Sequence, residues 1–154
     1  MRLIITGFFI IAFLYIAALA ILYYFQRSLL YFPDTQRVAP AAINHPAKEI
    51  LLDTRDGEIV YGWWTPPIDD KSVLLHFHGN GGSLAWRSQR YRKFIDNGYG
   101  LLAMTYRGYS GSSGSPAETS IIADALLAYD WLLEKGITPD KIVLYGESLG
   151  SGVA

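Results

Sequence analysis

Near its end the chain reads Gly146-Glu147-Ser148-Leu149-Gly150, directly after the apolar, β-branched run Lys141-Ile142-Val143-Leu144-Tyr145. A G-x-S-x-G pattern carries chemical meaning when it closes a strand, because the serine then stands on a sharp strand-to-helix turn. Backbone crowds the positions two before and two after that serine, which is the reason for Gly146 and Gly150. The hydroxyl of Ser148 is held clear of the sheet, and the N–H of Leu149 points to where an oxyanion would form. The chemistry this suits is acyl transfer through a serine. A base is needed as well, since a serine hydroxyl alone is a poor nucleophile at neutral pH. All three histidines, His45, His76 and His78, precede Ser148.

A second glycine cluster, His78-Gly79-Asn80-Gly81-Gly82, follows the apolar run Ser72–Phe77. Glycines at the carboxyl end of a strand let backbone N–H groups approach a ligand closely. His76 and His78 stand at i and i+2, so both side chains leave one face of an extended strand. A metal site would need further ligands, and with no cysteine and no later histidine none is expected. The better expectation for His78 is to orient the Gly79–Gly81 loop by hydrogen bonds, with a substitute base as the other option. The run Gly108–Ser115 lacks the Lys-[Ser/Thr] of a phosphate loop and the dinucleotide fingerprint spacing, so it is read as a pocket rim. Asp124 and Asp130 are expected on a solvated helix face.

The elements that must position these residues alternate. Glu49–Thr54 and Glu58–Thr65 flank Arg55-Asp56-Gly57, an Asp-Gly hairpin turn. Trp63 and Trp64 would alternate faces, one in the core and one under a helix or at an edge. The periodicity predicts a helix over 83–97, closed by Asn97-Gly98, and then a strand over Gly100–Tyr106. Ser115-Pro116-Ala117-Glu118 reads as a capping box opening a helix. That helix presents Ile121, Ile122, Ala125, Leu126, Tyr129, Leu132 and Leu133 as one stripe, and Gly136 ends it. Strands alternating with amphipathic helices predict an α/β sheet, mostly parallel, behind an antiparallel opening hairpin.

Leu3–Phe25 contains no charged side chain. As a helix, 23 residues at about 1.5 Å each reach about 34 Å, enough for a hydrocarbon core of about 30 Å. Ala18-Leu19-Ala20 could serve as a signal-cleavage site. The apolar run continues past it to Phe25, which favours an uncleaved signal anchor over a secreted or periplasmic form. Arg2 on one side and Arg27 and Arg37 on the other leave the orientation open. The expected organisation is an anchor over 3–25, a proline-marked connector over 26–47, and an α/β domain over 48–154. With 13 basic and 14 acidic residues and no Lys/Arg run, nucleic acid is not an expected partner. The absence of cysteine excludes disulfides and thiolate metal sites.

Three stretches in this order carry a resemblance: Leu75-His76-Phe77-His78-Gly79-Asn80-Gly81-Gly82, Tyr106-Arg107-Gly108-Tyr109-Ser110-Gly111-Ser112-Ser113-Gly114-Ser115-Pro116, and Leu144-Tyr145-Gly146-Glu147-Ser148-Leu149-Gly150. With an apolar helix followed by Leu29-Leu30-Tyr31-Phe32-Pro33, the chain resembles the membrane-anchored α/β-hydrolase-fold serine hydrolases. These are esterase- or lipase-like and related to prolyl-oligopeptidase and dienelactone-hydrolase domains. The resemblance implies Ser148 as nucleophile, with the N–H groups of Leu149 and Asn80 as oxyanion donors. The third and fifth strands would end side by side. It also implies a small-molecule or lipid-like acyl substrate, a membrane location and no cofactor. The family's order is serine, then acid, then histidine, so acid and base would lie on later strands. The expectation is therefore the amino-terminal part of such a hydrolase, cut after the fifth strand. A non-catalytic membrane module of the same fold and an inactive truncated product are the alternatives.

Overall fold

The structure is a computed structural model that describes residues 2–154. It divides into two compact units, one ending at Phe32 and one spanning Pro33–Ala154. The first is a single helix, α1 (Arg2–Leu30), with a mean hydropathy of 2.7 over its most apolar window and no buried residue. By length and composition it could cross a membrane.

The second unit is built on five strands: β1 (Lys48–Asp53), β2 (Ile59–Thr65), β3 (Val73–Phe77), β4 (Gly100–Met104) and β5 (Ile142–Gly146). Their order across the sheet is β1-β2-β4-β3-β5. The opening pair is antiparallel, Lys48 facing Trp64 and Asp53 facing Ile59. β2 runs antiparallel to β4, whereas β3 is parallel to both β4 and β5. The expected hairpin is present, with Gly57 at φ 86° in the left-handed region and the Thr54 N–H donating to the Glu58 carbonyl at 2.8 Å.

Alternation along the strands divides the core into two layers. Tyr61, Trp63, Leu74, Leu101 and Ala103 pack with Leu84 and with Tyr91 of α2 (Ser88–Asp96). Trp64 turns the other way and meets Trp131 of α3 (Glu118–Glu134) edge-on, ring centroids 5.2 Å apart. All five residues of β3 and of β4 are buried, as two-sided packing requires of central strands. β5 is more open, with Val143 and Leu144 exposed.

Three sequence expectations need correcting. The 83–97 segment divides into a short 3-10 turn, Leu84–Arg87, and α2. The capping box does not form: α3 starts at Glu118, with Ala117 in the cap position and no side-chain cap bond. The reason is that the preceding loop serves β2 instead. Ser113 N–H donates to the Ile59 carbonyl at 2.9 Å, and the Ile59 and Tyr61 N–H groups donate to Ser113 Oγ and Ser112 Oγ, both at 2.8 Å. That pairing ties the loop to β2, and the backbone is still extended at Ala117, with φ −151° and ψ 150°. Finally, Asp124 is buried rather than solvated. Arg107 donates to it through both Nε and Nη2 at 2.8 Å and reaches Asp56 through Nη1 and the shared Nη2.

Candidate active site

The parallel pairing of β3 with β5 sets Phe77 opposite Gly146, so both chain segments of interest leave the sheet at the same edge. Beyond Gly146 the Glu147 N–H donates to the Phe77 carbonyl at 3.0 Å, and the chain turns sharply. Ser148 sits at φ 51°, in the left-handed region that non-glycine residues rarely occupy. A 3-10 turn, Ser148–Gly152, follows rather than an α-helix. The Ser148 side chain is exposed at this corner.

The two flanking glycines are required by contact. A Cβ on Gly146 would stand 2.3 Å from the Gly150 carbonyl oxygen, and one on Gly150 would stand 2.0 Å from that of Phe77. Backbone meets backbone at both positions, so no side chain can turn aside to make room. Leu149, half-buried, is the next residue in the turn.

The loop after β3 lies directly against this corner. A Cβ on Gly79 would be 3.5 Å from the Ser148 Cβ and 3.4 Å from the Glu147 carbonyl oxygen. Two tyrosines brace the loop from the β4 side. Tyr106 Oη donates to the His78 carbonyl at 2.6 Å, and Tyr109 Oη donates to Asn80 Oδ1 at 2.8 Å. On the other flank Arg87 donates to the Ser83 and Gly81 carbonyls, each at 3.1 Å, and through Nε to Glu147 Oε2 at 3.2 Å. A Cβ on Gly81 would meet nothing within 4 Å, so this glycine contributes its carbonyl rather than a lack of side chain.

All three histidines are committed elsewhere. His78 Nδ1 contacts the Gly79 carbonyl at 2.6 Å, which assigns the proton to Nδ1 because a carbonyl only accepts. Its Nε2 is buried without a partner, and burial pushes its pKa down to about 4. That combination suits a loop support and makes a weak base. His76 pairs its Nδ1 with Tyr91 Oη at 2.9 Å. Burial, with a smaller push from His78, lowers it to about 3. Its 3.8 Å approach to Glu147 therefore joins a neutral ring to a carboxylate and is not an ion pair. His45 contacts the Ser88 carbonyl at 3.1 Å.

Glu147 itself was not singled out by the sequence, nor were Arg87, Tyr106 and Tyr109 as supports. Burial works to raise the Glu147 carboxyl, but hydrogen bonding and charge from Arg87, and charge from Arg90, outweigh it and hold the carboxyl below its usual range. A charged residue between Gly146 and Ser148 at a strand end needs a counter-ion, and that was the available signal. Among the described residues no cluster of His, Cys, Asp and Glu could hold a metal ion.

No protein-family model matches the chain. Similar curated proteins do exist. An uncharacterized Mycobacterium tuberculosis protein is 35% identical over 133 residues, covering 84% of this chain and 47% of the relative. The lysophosphatidylserine lipase ABHD12 of Danio rerio is 32% identical over 145 residues, 80% of this chain and 37% of that protein. Protein bem46 of Schizosaccharomyces pombe is 33% identical over 148 residues, 89% and 50% respectively. The chain thus spans about half the length, or less, of the curated relatives it matches. Among solved structures, an alpha-beta hydrolase from Vibrio vulnificus superposes with TM-score 0.61 at 28% identity, over 73% of this chain and 39% of that one. An esterase of Pyrococcus furiosus gives TM-score 0.57 at 27% identity, over 80% and 50%. With the strand order β1-β2-β4-β3-β5 and a left-handed serine beyond β5, these similarities show that the chain belongs with the α/β-hydrolase-fold proteins and matches the amino-terminal part of that fold.

Proposed function

We propose that this chain carries the nucleophile and oxyanion site of a membrane-anchored serine hydrolase acting on an ester, thioester or amide. The observation that carries the reading is Ser148 at φ 51° on a turn where a Cβ at either flanking glycine would clash with backbone, with the Gly79 loop so near that a Cβ on Gly79 would touch Ser148. Ser148 Oγ gives its proton to the base as it attacks the acyl carbon, the carbonyl oxygen takes negative charge, and the N–H groups of Leu149 and Asn80 stabilise it. The bond to the leaving group then breaks, the leaving group takes up a proton, and water releases the acyl group from the serine. The base and its orienting acid come from the carboxyl-terminal half of the fold, following the order serine, acid, histidine. No cofactor enters this chemistry.

α1 serves as a single-pass membrane anchor, which would keep the site near lipid-like acyl substrates. A Danio rerio relative named as a lysophosphatidylserine lipase is consistent with that substrate class. With His45, His76 and His78 committed to other partners, the catalytic reading depends on a base beyond these three; the second reading is a non-catalytic membrane module in which the serine turn survives as architecture. Hydrolysis of p-nitrophenyl butyrate by the intact protein separates the two. The proposal expects Ser148→Ala to lower kcat at least about 10³-fold. Equal rates for the wild type and Ser148→Ala would favour the non-catalytic module.

A further inference from the structure

We infer that Arg87 is a positioning residue that sets the loop after β3 against the Ser148 turn, holding the two halves of the oxyanion site in register. The inference rests on the functional reading of Ser148 given above. The two segments are more than 60 residues apart in sequence, so nothing covalent fixes their spacing. One guanidinium nevertheless reaches both. Nη2 and Nη1 donate to the Gly81 and Ser83 carbonyls just after Asn80, while Nε donates to Glu147, the residue before Ser148.

The side chain of Arg87 is only 11% exposed, and its bonds to Ser83 and Glu147 are partly shielded from water, whereas the one to Gly81 lies at the surface. Its planar fork matches three acceptors in fixed directions, which a lysine ammonium on a flexible stem cannot do. On the far side Tyr106 and Tyr109 hold His78 and Asn80. The loop is therefore held from both flanks, by Tyr109 at Asn80 and by Arg87 at the Gly81 and Ser83 carbonyls that follow it, and the Arg87 grip also includes the serine turn.

Arg90 is a built-in control. It contacts the same Glu147 oxygen at 2.8 Å, but its side chain is 45% exposed and it reaches Tyr145 Oη, on β5, rather than the loop carbonyls that Arg87 holds. If Glu147 merely needs a nearby cation, the two arginines are equivalent. If the loop must be placed, only Arg87 matters.

The test compares kcat and KM for p-nitrophenyl butyrate in the intact protein for the wild type, Arg87→Ala, Arg87→Lys and Arg90→Ala, with a thermal melt of each. A misplacement of about 1 Å costs about 10²-fold in rate. Arg87→Ala is expected to lower kcat about 10- to 100-fold with KM within about threefold. Arg87→Lys should fall nearly as far while melting close to the wild type, and it carries the test if Arg87→Ala does not fold. Arg90→Ala should stay within about threefold in both constants. Folded Arg87 variants with wild-type kcat, an effect confined to KM, or an equal loss in Arg90→Ala would each overturn the inference while leaving Ser148 in place. A wild type with no Ser148-dependent turnover would instead defeat the functional reading, and this inference with it.

Discussion

Replacing Gly150 with alanine would put a methyl group 2.0 Å from the Phe77 carbonyl oxygen and 2.9 Å from that of His78. Ordinary carbon–oxygen contact begins near about 3.3 Å, so the serine turn and the end of β3 would have to separate by more than about 1 Å. Both are backbone, and neither can rotate out of the way. The separation would break the bond from Glu147 N–H to the Phe77 carbonyl, worth about 1 kcal/mol net. Overpacking adds about 1–3 kcal/mol, for a total near 2–4 kcal/mol. Gly152→Ala is the matched control, because a Cβ there meets nothing within 4 Å. With a urea slope of about 2 kcal/mol/M, Gly150→Ala should unfold about 1–2 M earlier than the intact wild type, and Gly152→Ala should not. If the variant folds, a fluorophosphonate should react with it about 10²-fold more slowly, since the displacement falls at the reacting serine. Gly150→Ala that matches Gly152→Ala in both midpoint and reaction rate would refute the packing of this turn against β3.

Acid should weaken the fold through His76 and His78. Both are buried and neutral, held at about 3 and about 4, whereas in the unfolded chain they titrate near about 6.5. Above that value neither state binds these protons, and their contribution to stability is fully present. As pH falls below it, the unfolded chain takes up protons the folded chain refuses, and stability drops by up to about 3 kcal/mol per pH unit until about pH 4. Urea midpoints at pH 7.5 and 5.5 check this, and equal midpoints would contradict it. Separately, Asp124→Ala strips the buried Arg107 of two acceptors and should cost about 3 kcal/mol, with Asp124→Asn losing less. Wild-type stability in Asp124→Ala would show that the exposed Asp56 alone satisfies Arg107.

What could be read from the chain was what depends on neighbours in sequence. Asp56-Gly57 specifies its hairpin by local geometry, and Gly98 and Gly136 end α2 and α3 at φ 82° and 84°. The glycine pattern around Ser148 already implied a turn too tight for side chains, and a Cβ at Gly146 or Gly150 would stand 2.3 Å or 2.0 Å from a backbone carbonyl oxygen. The adjacency of β3 and β5 followed from the resemblance, and the parallel pairing of Phe77 with Gly146 bears it out. Apart from the local division of the 83–97 segment into a 3-10 turn and α2, the misses were long-range. Ser115 looked like a helix cap because nothing local says that Ser112 and Ser113 are needed by β2. Asp124 looked solvated because Arg107 reaches it only once that same loop has folded back. Arg87 carried no motif of its own, since its three acceptors come together only when the sheet assembles.

The central claim is that Ser148 is a reactive nucleophile held at the carboxyl edge of the sheet. The most direct measurement is mass-spectrometric mapping of the residue modified when the intact protein meets a fluorophosphonate. The account predicts a single adduct on the peptide containing Ser148, abolished in Ser148→Ala. No adduct on a folded protein, or labelling that persists in Ser148→Ala, would contradict it.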